Sequence, residues 1–255
     1  MKKAFYLRMI ITMVITMGFA KVAMADEPSL CSIDGVIYFT WNIDGTGTLH
    51  VTPLEATTSN FDKSPFYKYR DQIKKVVIEN DFYCEDGFKT IGNCFFKGLD
   101  KLESVQFTSS IVSIGESVFE GCESLKEIVV PSTVESIGRN ALKGCSSLTA
   151  VSLPFLGYNG AIWVNQTDKN DLSWIFGTSK GKEFYTVSHT IGSKTMSYSF
   201  PVSLKSFTIS GGILCNDAFD NCVSLENISL GKETKSVPSA LVAGYYSNMS
   251  FYSEQ

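Results

Sequence analysis

The chain has 255 residues, 44% hydrophobic and 19% charged, with 26 acidic side chains against 22 basic ones and a formal charge of −4. Its apolar content is too high for a disordered chain, and its acidic balance argues against a nucleic-acid binder. The cysteine count of seven is odd, so the cysteines cannot all pair with one another.

Residues 1–25 read as a secretory signal peptide. Lys2, Lys3 and Arg8 form its basic end, Met9 to Ala20 its apolar run, and Ala23-Met24-Ala25 an A-x-A cleavage site. The run is short for a bilayer span, so no integral membrane segment is expected after cleavage behind Ala25. Cleavage there removes four basic and no acidic residues, which moves the formal charge from −4 to −8. Cys31 follows Pro28-Ser29-Leu30 and lacks the context of a lipid-attachment site. The expected location is secreted or cell-surface.

Residues 26–72 are expected to form an N-terminal β cap. Val36 to Ile43 is rich in aromatic and β-branched residues, Asp44-Gly45 is a turn signal, and Thr48 to Val51 returns, which predicts a hairpin. Phe61 to Tyr69 is aromatic and would close the cap. This segment lacks the regular spacing of the chain beyond Gln72. It would cover the first unit of a stacked array, whose open end is otherwise sticky.

Residues 73–255 carry that spacing. Ile73 to Ile78 reads as its first strand, Asp81 to Phe88 lengthens the next connection, and further strands are predicted near 102–107, 125–130 and 148–153. Ile114-Gly115, Phe119, Gly121-Cys122, Leu125, Ile128 and Pro131 recur 23 residues later as Ile137-Gly138, Leu142, Gly144-Cys145, Leu148 and Val151, then Pro154. A fixed short period marks a stacked repeat. One unit has too few apolar anchors to offset the ordering of its own backbone, so the units must share faces in a continuous array. Each reads as a short strand, an extended piece and one short helical turn. The strands are predicted to pair in parallel, ~4.8 Å apart. From Pro154 to Phe200 the period gives way to an aromatic, glycine-rich insertion. It resumes at Leu204 to Ile209, continues through Ala218 to Cys222 and Leu225 to Leu230, and fades after Leu241.

The pattern I-G-x-x-x-F-x-G-C-x-S-L-x-x-I-x-x-P resembles the BspA-type (treponemal-type) leucine-rich repeat family. The resemblance is strongest from Ile91 to Leu153 and from Leu204 to Leu230. It implies a leucine-rich-repeat solenoid of the α/β superhelix class, with mainly short parallel strands, short helical turns and an N-terminal β-hairpin cap. Leu153-Pro154-Phe155-Leu156-Gly157 and Ile175-Phe176-Gly177 are similar to enlarged units of that family, which makes 154–200 one elaborated coil. The resemblance also implies adhesion or host interaction, with a protein or surface glycan as partner.

Aligned within the chain, the repeats form columns. In Gly98, Gly121, Gly144, Asn221 and Gly244, asparagine alone replaces glycine, which predicts a left-handed residue. In Gly92, Gly115, Gly138, Cys215 and Pro238, proline is admitted. Proline cannot take positive φ, so that column predicts close packing instead. Cys122, Cys145 and Cys222 share a column with Leu99 and Tyr245, as small buried hydrophobes would. A bridge between Cys122 and Cys145, one coil apart, remains the alternative.

Little in the sequence points to catalysis. Gly177-Thr178-Ser179-Lys180-Gly181 matches G-x-S-x-G formally, but His189 precedes Asp217, the wrong order for an α/β-hydrolase triad. There is no C-x-x-C, H-E-x-x-H, P-loop or dinucleotide motif, so no metal or cofactor is expected. Asp168, Asp171 and Glu183 leave open a glycosidase-like carboxylate pair in the insertion. Binding is the leading expectation. Residues flanking each inward strand anchor would form a polar face, with Lys126, Glu127, Val129, Lys205 and Thr208 as candidates. Tyr158, Trp163, Trp174 and Tyr185 would form an aromatic patch or fill an enlarged core. A structural module of an envelope complex is the alternative.

Overall fold

Strands stack on one another at the repeat period. The computed structural model describes residues 29–33, 36–53, 60–79, 89–108, 110–159, 172–191, 194–214, 218–219, 221–236 and 250–253. The signal-peptide reading, Asp81–Phe88, Trp163, Asp168, Asp171, Asp217, Cys215, Pro238, Gly244 and Tyr245 lie outside these residues.

Three strands open the described chain. β1 (Ser29–Ile33), β2 (Val36–Ile43) and β3 (Thr48–Pro53) form an antiparallel meander. β1 has no counterpart in the sequence reading. The turn between β2 and β3 is closed by Asp44, whose Oδ1 accepts hydrogen bonds from the backbone N–H groups of Thr46 and Thr48. β3 then pairs in parallel with β4 (Lys75–Ile78), and β4 with β6 (Ser104–Gln106). The hairpin therefore continues directly into the ladder of the repeats. Phe39 and Phe66 each meet Phe95 edge to face beneath it, and are tilted against one another.

Further along, β8 (Glu127–Val129) pairs with β10 (Ala150–Leu153), β10 with β13 (Ser206–Ile213), β13 with β14 (Asn227–Ser236), and β14 with β15 (Ser250–Ser253), all in parallel. On the far side of each coil, β5 (Thr90–Ile91), β7 (Ser113–Ile114) and β9 (Ser136–Ile137) form a second, narrower sheet. Ile128 on one side and Ile137 on the other are buried between them, together with Val134, Leu142, Cys145 and Leu148. This is the expected solenoid: mostly parallel strands, little helix, and one apolar core running along the stack.

β13 and β14 overrun the ends expected at Ile209 and Leu230. The cause is local. β8 and β10 are followed by Pro131 and Pro154, which have no N–H to continue a ladder. The register places Ser210 and Gly231 at the same position in β13 and β14. With those residues the strands shift register near Gly211 and pair onward. β15 adds a coil strand beyond the point where the repeat was expected to fade, with Phe251 in register with Ile228.

Two successive turn segments each hang on the next coil through three backbone bonds. Ser117, Phe119 and Gly121 donate their N–H groups to the carbonyls of Arg139, Ala141 and Lys143 at 2.9, 3.0 and 2.8 Å. Cys94, Phe96 and Gly98 do the same toward Glu116, Val118 and Glu120. Gly98, Gly121, Gly144 and Asn221 all have φ between 60° and 77°, the left-handed column read from the sequence. A second such column, Cys94, Ser117 and Asn140, carries no glycine and was not legible as such. In the other glycine column, a Cβ on Gly138 would collide with backbone atoms of Gly115 and Glu116. Close approach of coils, not positive φ, therefore accounts for that column.

The enlarged unit keeps its place in the same ladder. α1 (Leu172–Phe176) takes the turn position, and Asn140 and Leu142 donate to the carbonyls of Trp174 and Ile175. The chain then forms an antiparallel hairpin, β11 (Phe184–Ile191) and β12 (Lys194–Pro201). Its inner face buries Val187, Tyr198 and Phe200 in the common core.

Candidate functional site

Two surfaces are candidates for a site. On the sheet face, Glu127 and Val129 point outward on either side of buried Ile128, and Val129 is 63% exposed. Thr208 is half-buried in the same row as Val129. Lys126 and Lys205 lie just before their strands, and neighbouring coils hold both. Lys126 Nζ is 2.6 Å from Glu103 Oε2, and Lys205 Nζ is 3.0 Å from Glu226 Oε1. These charges form an inter-coil ladder, so much of their capacity is taken up inside the molecule. Opposite charges one coil apart, 23 residues for Lys126 and Glu103 and 21 for Lys205 and Glu226, were the signal for it in the sequence.

The insertion aromatics divide. Tyr158 is 38% exposed and meets Trp174 edge on, with ring centroids 6.0 Å apart. Trp174 is half-buried and packs against the core. Its Nε1–H donates to the Ile137 carbonyl at 2.8 Å, and Arg139 lies over its ring. Tyr185 is half-buried, with its hydroxyl bonded to Ser224. These aromatics therefore serve both as filling and as surface.

Between the turn segments and the β11–β12 hairpin lies a groove made of two adjoining depressions, of about 550 and 470 Å³, which share Lys143 and Thr178. The coil turns contribute Glu116, Glu120, Arg139 and Lys143. The loop after α1 contributes Thr178, Ser179 and Lys180, and the hairpin contributes Thr186, Thr195, Ser197 and Ser199. The alternation Thr186, Ser188, Thr190 and Thr195, Ser197, Ser199 has the period of a strand with one hydroxyl face, and it was the overlooked signal.

The groove is preformed by its own bonds. Ser199 Oγ accepts the Ser179 N–H at 2.7 Å and donates to the Ser179 carbonyl at 2.9 Å. The G-x-S-x-G match is thus a loop that follows a short helix, pinned to β12. Glu120 bridges two coils, with Oε2 2.8 Å from Lys97 Nζ and Oε1 2.9 Å from Lys143 Nζ. Burial opposes its charge, but hydrogen bonds from Lys97, Lys143 and Ser117 outweigh it and hold the carboxyl down at about 2. Among the described residues, no group of three or more His, Cys, Asp or Glu is placed to hold a metal ion.

The profile of the BspA type Leucine rich repeat region matches residues 59–158 and 186–251 in six copies, more than half of the chain. The chain belongs to the BspA-type leucine-rich repeat family. No curated protein matches it. Among solved structures it is similar to the leucine-rich repeat protein TpLRR of T. pallidum, at 15% identity and a TM-score of 0.40, over 85% of this chain and 97% of that one. It is also similar to the pneumococcal vaccine antigen PcpA, at 16% identity and 0.44, over 89% of this chain and 48% of PcpA. A leucine-rich repeat protein from Bacteroides ovatus is 20% identical, with a TM-score of 0.33, over 80% of this chain and 67% of that one.

The cysteine column of the BspA-type units is packing material. Cys122 and Cys145 are fully buried free thiols that donate to the carbonyls of Phe96 and Phe119. Burial pushes Cys145 up to about 12 and raises Cys122 as well. Cys222 is buried too, with its Sγ 3.6 Å from the Tyr198 hydroxyl.

Proposed function

We propose that this protein is a secreted or cell-surface recognition protein without catalytic activity, which adheres to an extracellular protein or surface glycan. One observation carries the reading. The enlarged unit forms a preformed polar groove in which Arg139, Lys143 and Lys180 stand beside a fixed Trp174. Membership of a repeat family, whose stacked units offer broad binding surfaces, points the same way.

In a second reading the outward sheet face that carries Glu127 and Val129 packs against a flat partner in an envelope assembly. A panel of matrix proteins and glycans, immobilised and probed with the full chain, separates the two. Arg139→Glu with Lys180→Glu is expected to lower capture about tenfold or more, while Val129→Asp leaves it unchanged. Loss on Val129→Asp alone would favour assembly. Capture that survives both changes would overturn recognition at the groove.

A further inference from the structure

We infer that the groove is a subsite for an oligosaccharide carrying sparse carboxylates. The inference rests on the recognition reading above and assigns its ligand class.

The walls set the chemistry. Thr186, Thr195 and Ser197 present hydroxyls from the exposed face of the hairpin. A hydroxyl both donates and accepts, so a row of them matches the hydroxyls of a sugar chain without demanding one orientation. The lining residues, Trp174 and the glycines apart, bear hydroxyl, amide or charged groups, whereas the aromatic anchors of a protein partner seat in well-packed, desolvated pockets. Lys180 is exposed at the rim, and Arg139 brings a planar fork that suits a carboxylate.

Charge limits how acidic the ligand is. Lys143 is already neutralised by Glu120, and Glu116 lies in the same wall as Arg139. What remains is a small positive surplus. A polyphosphate or nucleic acid would meet two carboxylates there. A chain of hydroxyls with a carboxylate every second sugar or fewer meets complementary groups instead. Trp174 is locked by its bond to Ile137, so binding need not order it.

The test is calorimetry on the full chain at physiological salt. The probes are a hexasaccharide of alternating glucuronate and N-acetylglucosamine and a sialylated oligosaccharide, each with its carboxyl-reduced counterpart. At least one acidic chain is expected to bind, and its reduced form to bind about tenfold more weakly. Arg139→Gln and Lys180→Gln are each expected to weaken binding about three- to tenfold without lowering the melting temperature. No binding to any acidic chain, equal binding of the reduced forms, or indifference to both substitutions overturns the assignment. If no sugar binds but a matrix protein does, and the two substitutions abolish that, the sugar assignment falls and the recognition reading stands. If protein capture also ignores both substitutions, both fall.

Discussion

Replacing Glu120 by Gln removes the charge that joins three successive coils. The carboxyl falls from an ordinary value of 4.5 to about 2, which corresponds to roughly 3 kcal/mol. The side chains of Lys97 and Lys143 are 37% and 31% exposed, and water screens such pairs, so about 1–2 kcal/mol is expected in practice. The sign follows from the depressed value. The contribution is complete above 4.5 and is lost as pH falls through about 2. Urea unfolding of wild type and Glu120→Gln, followed by tryptophan fluorescence, should differ by that amount at neutral pH and converge near the lower value. Molar salt should narrow the gap at neutral pH. A gap that is absent at neutral pH, or that persists unchanged into acid, would refute the reasoning.

The two glycine columns should answer substitution differently. At Gly121 the nearest atom to an added Cβ is Gly98 Cα at 3.7 Å, so Gly121→Asn should cost only about 1 kcal/mol, as Asn221 already stands in that column. Gly138→Ala drives a Cβ into backbone and should cost about 3 kcal/mol or more, and thermal melts of the two variants test the order. His50 lies 2.7 Å from Glu79 Oε1 and 3.3 Å from Asp44 Oδ2. Burial opposes its charge, but bonds to Glu79 and Asp44 raise its pKa above 6.5. Its stabilisation is thus full below 6.5 and is lost as pH rises through the folded value. Amide exchange in β3 and β4 should therefore quicken in that range in wild type relative to His50→Gln, and parallel pH profiles would contradict this.

The period was legible because each unit must bury the same side chains at the same places. Ile114 and Ile137, Phe119 and Leu142, and Cys122 and Cys145 are buried as spaced. The glycine columns were legible because the residues tolerated in place of glycine distinguish φ from crowding. The left-handed Ser117 and Cys94 were not, since their conformation is imposed by N–H bonds to the next coil rather than by residue type. The insertion hid its hairpin because aromatic content drew attention from hydroxyl alternation. Trp174 was read as either patch or core. Its bond to Ile137, 37 residues away, explains why one residue takes part in both. Lys126 and Lys205 look available on one strand alone, and only the coil spacing to Glu103 and Glu226 reveals their partners.

The hand-over of N–H groups from one turn to the next has an architectural corollary. Asn140 and Leu142 donate to Trp174 and Ile175 just as Ser117 and Phe119 donate to Arg139 and Ala141, although the intervening segment is far longer. A coil is recognised by where its carbonyls arrive, not by how many residues were used to reach that point. The frame thus fixes the donors and the carbonyls that receive them, and leaves the length of chain between them as the free variable.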